Sequence, residues 1–184
     1  MKLASSPRVA RCSALSSILL SALVLAGDTP PQPAPAPETC AAFEKMKSLA
    51  GEWTAVRAES KAAMGPVTYK VSAGGTVLLE TLFVGTDHEM LSVYYADAGE
   101  LAMTHYCILH NRPNMRARAS SDPKKIVLEC AAGSGLRCDV ETHMHQATIT
   151  FVDDDHVKTE WTLYEKGKAT GTHGFDLERK KPAK

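Results

Sequence analysis

From Gly51 onward, apolar and polar residues alternate along the chain, which is the period of β-strands with one buried face. The clearest runs are "GTVLLETLFVG" (75–85) and "HEMLSVYYADAGELAMTHYCIL" (88–109), and the turn "DAGE" interrupts the second one. A glycine in so short a turn supplies the positive φ that tight hairpins require. The second run therefore predicts two strands of a β-hairpin.

The same pattern recurs in "ATITFVDDDHVKTEWTLYEKGKATGTHGFDLERK" (147–180), where "DDDH" and "EKGKAT" separate three β-rich runs. Shorter runs at 51–58, 65–72, 113–119 and 124–130 bring the total to about nine or ten strands. The exception is "CAAFEKMKSLAGEW" (40–53), whose apolar residues recur at helical spacing. One short N-terminal helix followed by such a meander predicts an all-β, antiparallel up-and-down barrel, because closure removes the exposed edges of an open sheet.

Residues 1–27 have the composition of a secretory signal peptide, with three basic residues ahead of an apolar run from Ala14 to Ala26. That run is shorter than the roughly 20 apolar residues that cross a bilayer, so we expect no membrane span. Residues 28–39 are rich in proline and alanine, which is typical of an extended linker. The remainder, 40–184, fits one domain, which we expect to be exported to the periplasm or secreted.

The charge balance argues against one class of partner. The chain carries 21 Lys+Arg and 21 Asp+Glu, and three of the basic residues belong to the predicted signal peptide. The rest of the chain therefore has 18 basic residues against 21 acidic ones, a balance of −3. Such a domain lacks the basic field that nucleic-acid binding requires, so we expect no nucleic-acid partner.

The cysteines outside the predicted signal peptide are Cys40, Cys107, Cys130 and Cys138. An even number of cysteines in an oxidising compartment is typical of disulfides, and several pairings are compatible with the sequence. Cys130 and Cys138 flank the turn-rich segment "AAGSGLR", which favours a bridge between them. A zinc site is the weaker alternative, because no close Cys-x-x-Cys pair is present.

The chain resembles the lipocalin-like (calycin) barrels, in which a short helix leads into a first strand that opens with Gly-x-Trp. The segments "GEWTA", "GGTVLLETLF", "HEMLSVYY", "THYC" and "HMHQATITFVD" are similar to those of a group of exported bacterial lipocalin-like proteins. The resemblance spans most of 43–179. It implies a structural role for Trp53, which would pack across the closed end of the barrel against a basic side chain of the last strand, Arg179 or Lys180.

Alternate residues of a small barrel face its lumen, and a barrel of this size can hold a small ligand. If Met90, Met103 and Ile149 face the lumen, then His88, His105 and His145 face it too, because residues two apart share a face of a strand. A register shift by one residue would turn any of them outward. We therefore predict a small, partly apolar ligand that is bound by burial of its apolar surface. The predicted ligand-binding residues are Glu80, His88, Met90, Tyr94, Met103, His105, Arg116, His143, His145 and Trp161.

Two of these residues leave alternatives open. Glu80 lies in an apolar strand, where an unpaired buried charge is costly, so it either faces solvent or has a partner such as His105 or Arg116. Arg116 belongs to the polar segment 110–125, which either lines the barrel mouth near an anionic ligand group or is a solvated hairpin connection.

A different class of function remains compatible with the same histidines. Imidazole nitrogens suit zinc, copper, iron or nickel, so His88, His105 and His145 are the candidates for a metal or haem site. A third possibility is a structural or partner-binding barrel whose lumen is filled by side chains. The sequence requires no cofactor, and it contains neither a nucleophile elbow nor a phosphate-binding glycine loop, so we expect no catalysis.

Overall fold

The computed structural model describes residues 38–131 and 135–181; the predicted signal peptide and nearly all of the predicted linker lie outside them. Within these residues one α-helix, α1 (Ala41–Lys47), precedes ten β-strands. The strands are β1 (Gly51–Arg57), β2 (Ala63–Ser72), β3 (Val77–Leu82), β4 (Met90–Asp97), β5 (Glu100–Tyr106), β6 (Asn114–Arg118), β7 (Lys125–Cys130), β8 (His143–Phe151), β9 (His156–Glu165) and β10 (Lys168–Arg179). No helix among the described residues is long and apolar enough to cross a bilayer.

The ten strands form a closed antiparallel barrel in which each strand pairs with its neighbours in sequence. The pairing of β1 with β10 closes the barrel, with Trp53 opposite Arg179 and Arg57 opposite Phe175. The predicted all-β up-and-down barrel with one short N-terminal helix is therefore confirmed.

Two tight turns set the register of their hairpins. Ala98 and Gly99 join β4 to β5, and Lys166 and Gly167 join β9 to β10, all four with positive φ. Positive φ at both central residues gives a turn whose twist matches that of the flanking strands. Glycine at the second position of each turn adopts this conformation without a steric penalty.

The helix packs against the barrel through the residues that its spacing singles out. Phe43 and Met46 are fully buried, and they join the core together with Leu49 and Trp53. Because Trp53 lies at the start of β1, this end of the barrel is opposite the one where β1 finishes at Arg57.

The guanidinium of Arg179 secures the end of the barrel that α1 packs against. Its Nη1 and Nη2 donate hydrogen bonds to the carbonyl oxygens of Ala50 and Ser48, each at 2.9 Å. The group also lies over the Trp53 ring, whose Nε1 donates to the Leu49 carbonyl oxygen at 2.8 Å. Of the two basic residues that the resemblance implies as partners for Trp53, Arg179 is the one that makes this contact.

The structure pairs Cys130 with Cys138 as a disulfide, the bridge that the turn-rich segment between them favours. Cys130 ends β7, and Cys138 lies in the connection from β7 to β8. Cys40 and Cys107 are free thiols, each partly buried.

Candidate functional site

A cavity of about 160 Å³ opens at the end of the barrel opposite α1. It lies where β1, β3 and β5 end and where β2, β4 and β8 begin, beside the middle of β9 and β10. Its lining consists of Arg57, Met64, Leu82, Phe83, His88, Met90, His105, Ile108, Met144, Trp161, His173 and Phe175.

Most of this lining is apolar. Phe83 and Phe175 contact each other with ring centroids 5.1 Å apart, and both are buried. Phe83 follows β3 with a φ of +55°, a conformation that a bulky residue rarely adopts. The chain therefore leaves the strand abruptly at this residue, and its ring stays packed against the cavity.

His105 is the buried histidine of the cavity, with 1% of its surface exposed. Its ring centroid lies 4.5 Å from that of Trp161, and its Nδ1 is 3.0 Å from the Ser92 hydroxyl oxygen. Burial lowers the pKa of His105 to about 4, because the protonated ring would lose its hydration. His105 is therefore neutral near pH 7, and it offers a neutral imidazole to whatever enters the cavity.

Glu80 is buried in the barrel interior, which decides between the two orientations that the sequence left open. Its partners are neither His105 nor Arg116. The hydroxyls of Tyr69 and Tyr94 donate to its two carboxyl oxygens at 2.5 and 2.8 Å. Burial raises the pKa of Glu80, and these hydrogen bonds oppose the rise because they stabilise the charged form.

Burial also raises the pKa of both tyrosines well above the usual value, and the neighbouring Glu80 charge adds to the effect. Tyr69 and Tyr94 therefore remain hydrogen-bond donors over a wide range of pH. This carboxyl group and its two phenols are a fixed polar cluster within the otherwise apolar interior, and none of the three lines the cavity.

Basic side chains supply the polar part of the cavity lining. Arg57, at the end of β1, has its guanidinium carbon 5.5 Å from the Phe175 ring centroid. His88 and His173 line the cavity from the β3–β4 connection and from β10. Among the described residues that line the cavity, none is acidic. The arrangement suits an apolar molecule with an anionic or hydrogen-bond-accepting group.

His143 and His145 do not line the cavity, because the alternation of inward and outward side chains is interrupted in β8. The pairing of β8 with β9 shifts between Met144 and Gln146, where a bulge adds one residue. Met144 consequently lines the cavity, whereas His145 stacks on Tyr164 with ring centroids 3.9 Å apart. The sequence placed His145 in the lumen beside His105; the structure differs, and the bulge is the reason.

The other predicted site residues divide into three groups. His88, Met90, His105 and Trp161 line the cavity, whereas Tyr94, Met103 and Glu80 are buried outside the cavity lining. Arg116 forms ion pairs with Asp97 and Glu100 away from the cavity lining.

Several lining residues do not appear among the sequence-based candidates. Arg57 lies an even number of residues from Trp53 on β1, and His173 lies two residues from Phe175 on β10, so each pair shares a face of its strand. Counting by two along these strands would have found both. Met64 and Phe83 sit at strand ends, where a bend in the chain decides the direction of the side chain.

Among the described residues, one group of metal-ligating residue types lies close together, and it is outside the cavity. A ligand atom from each of Cys130, Cys138 and His143 lies within 4.8 Å of the others. Of the three histidines suggested as a metal or haem site, His88 and His105 line the cavity and His145 does not.

The comparisons with known proteins add no further assignment: no protein-family model matches this chain, and no curated protein matches it significantly.

Proposed function

We propose that this barrel binds a small molecule about the size of one aromatic ring, with an anionic or hydrogen-bond-accepting group attached. The observation that carries the proposal is the apolar cavity of about 160 Å³ at the end of the barrel. Apolar protein cavities of roughly 150 Å³ accept benzene, so the space suits a ligand of that size. Burial of its ring against Trp161 and Phe175 would supply most of the affinity.

The polar part of the ligand is inferred from the charge of the lining. Arg57 presents the planar, permanently charged group that binds carboxylates with two parallel hydrogen bonds. Neutral His105 adds a ring nitrogen that donates or accepts according to its tautomer. A carboxylate attached to an aromatic or short aliphatic body is the ligand class that best satisfies both groups.

We also propose that the chain is a lipocalin-like barrel that works outside the cytoplasm. The closed meander, the helix before the first strand and the contact between Trp53 and Arg179 all support the family assignment. The predicted signal peptide and the Cys130–Cys138 disulfide support export.

The test is a titration of the chain lacking the predicted signal peptide. The probes are benzoate, benzyl alcohol and benzene, and binding is monitored by tryptophan fluorescence. Trp161 lines the cavity, whereas Trp53 lies at the other end of the barrel, so the fluorescence should respond through Trp161. We expect saturable binding of all three probes. Benzoate should bind about tenfold more tightly than benzyl alcohol, since a hydrogen bond to a charged group contributes about 1–1.5 kcal/mol more than a neutral one.

Two variants separate the parts of the proposal. Arg57→Gln should remove the preference for benzoate over benzyl alcohol while benzene still binds. Trp161→Phe should abolish the fluorescence response, and calorimetry should still detect binding. If none of the three probes saturates a correctly folded protein, the ligand-binding proposal is wrong and a partner-binding barrel takes its place.

A further inference from the structure

We propose that Cys130, Cys138 and His143 form a binding site for a zinc-type divalent ion when the disulfide between the two cysteines is reduced. One ligand atom from each residue lies within 4.8 Å of the others. Two thiolates and an imidazole are a donor set that a borderline-soft ion such as Zn²⁺ prefers. None of the three residues lines the cavity, so the site is independent of the proposed ligand.

The environment of His143 prepares it to act as a ligand. The side chain is fully buried, and its Nδ1 is 2.7 Å from the Glu141 carbonyl oxygen. A carbonyl oxygen only accepts hydrogen bonds, so the proton of the neutral ring is on Nδ1 and the lone pair is on Nε2. Metal-bound histidines commonly make this same bond, which fixes the tautomer and the direction of the ring.

The neighbouring contacts hold the ring in place. His143 Nε2 is 3.0 Å from Nδ1 of His145, which stacks on Tyr164. The Asn111 side-chain amide donates to the Thr142 carbonyl oxygen at 2.7 Å and so anchors the residue before His143. An ion bound through Nε2 would have to displace the contact with His145.

The spacing of the two cysteines is compatible with sulfurs held apart by an ion. Their Cα atoms are 7.3 Å apart, slightly beyond the range of roughly 4.4–6.8 Å usual for disulfides. Two sulfurs that each lie about 2.3 Å from a tetrahedral ion need more space between them than two bonded sulfurs do. The reduced side chains can therefore separate around an ion without bringing the two backbone segments closer together.

Reduction of the disulfide and binding of the ion are two separate steps. An external dithiol reduces the Cys130–Cys138 bond, giving two protein thiols, and leaves as its own cyclic disulfide. Zn²⁺ then binds both sulfurs as thiolates and releases two protons, while His143 contributes its neutral nitrogen. The oxidised bridge and the bound ion exclude each other, so the site is occupied only under reducing conditions.

The experiment uses the full chain without its signal peptide, reduced with a phosphine, freed of metal and titrated anaerobically with Co²⁺ and then Zn²⁺. We expect one Co²⁺ per chain, with a near-ultraviolet thiolate-to-cobalt band and visible bands of a tetrahedral site, all lost when Zn²⁺ is added. The oxidised protein should show neither band. Cys138→Ser should lose about half of the thiolate band, His143→Ala should weaken binding about tenfold or more, and Cys107→Ser should change nothing.

A second measurement avoids variants that fail to fold. In the reduced wild-type protein, Zn²⁺ should protect Cys130 and Cys138 from alkylation, while Cys40 and Cys107 react at unchanged rates. Mass spectrometry of the peptides reports each rate separately. Absence of the thiolate band in the reduced protein, equal alkylation rates with and without Zn²⁺, or an unchanged band in the Cys130→Ser/Cys138→Ser double variant would each overturn the proposal.

Discussion

The guanidinium of Arg179 lies 4.2 Å from the ring centroid of Trp53, and the two residues are direct cross-strand partners in β10 and β1. This one side chain connects the first strand, the last strand and the segment that follows α1, through its hydrogen bonds to Ser48 and Ala50. Its contribution to stability should therefore exceed that of an ordinary surface residue.

We predict that Arg179→Ala lowers the free energy of unfolding by about 2 kcal/mol or more, because several hydrogen bonds and a cation–π contact are lost together. Arg179→Lys should recover only part of the loss, since an ammonium group cannot make the forked contacts. The matched control is Lys180→Ala, which removes an exposed ion pair with Glu52 and should cost well under about 1 kcal/mol. Urea unfolding monitored by circular dichroism measures all three, and equal losses for Arg179→Ala and Lys180→Ala would contradict the prediction.

The buried His105 predicts a specific dependence of stability on acidity. Its pKa falls from 6.5 to about 4 on folding, so between these values the unfolded chain binds more protons than the folded one. The stability that this histidine contributes is complete above pH 6.5 and is lost as the pH falls toward about 4. The loss should approach about 3 kcal/mol.

His105→Gln removes the titration while retaining a side chain that can hydrogen-bond to Ser92. We expect the wild type to lose stability relative to this variant as the pH falls through that window. Urea unfolding of both proteins across the window isolates the effect, because the other titrating groups are shared. A difference in stability that stays constant with pH would show that the ring is not held neutral.

Glu80 should act in the opposite direction. Because the folded-state pKa is raised, its contribution to stability is complete below the unfolded pKa of 4.5 and declines as the pH rises through the folded value. Glu80→Gln removes the charge but keeps hydrogen-bonding atoms for Tyr69 and Tyr94. We predict that the variant gains stability relative to the wild type as the pH rises above 4.5, measured by chemical denaturation. Parallel curves for the two proteins would contradict this prediction.

Filling the cavity should abolish ligand binding without unfolding the barrel. We predict that Met64→Trp places an indole in the space between Leu82 and Phe175 and prevents uptake of benzoate. Stability should be unchanged or slightly higher, because the added ring occupies a void instead of overpacking a filled core. The control is Val71→Trp on the same strand, at an exposed position outside the cavity, which should bind benzoate like the wild type. Calorimetric titration compares the two, and full binding by Met64→Trp would place the ligand elsewhere.

The sequence predicts the architecture well because its signals are local and repeated. Alternation of period two and glycine at turns such as Gly99 are determined by neighbouring residues, so strand count and antiparallel order follow from them. The helix is equally local, since Phe43 and Met46 mark its buried face. Barrel closure then follows from the need to cover the edges.

The candidate site is predicted less completely, because its residues depend on departures from alternation. The bulge after Met144 moves His145 out of the expected face, and nothing in "HMHQ" announces it. The position of Glu80 was undecidable without knowing that Tyr69 and Tyr94 donate to it from two other strands. Cys130, Cys138 and His143 converge through a loop whose spacing matches no familiar metal motif, so the sequence alone favoured only the disulfide.

The pairing of β1 with β10 also fixes when the barrel is completed. β1 is the first strand to emerge during synthesis, but one of its two partners, β10, is the last strand of the barrel. One edge of β1 therefore stays unpaired until β10 has been synthesised. A chain that stops before Lys168 would expose the edges of both β1 and β9, which are templates for intermolecular pairing. The strand that begins the barrel thus depends on the last one to protect it from aggregation.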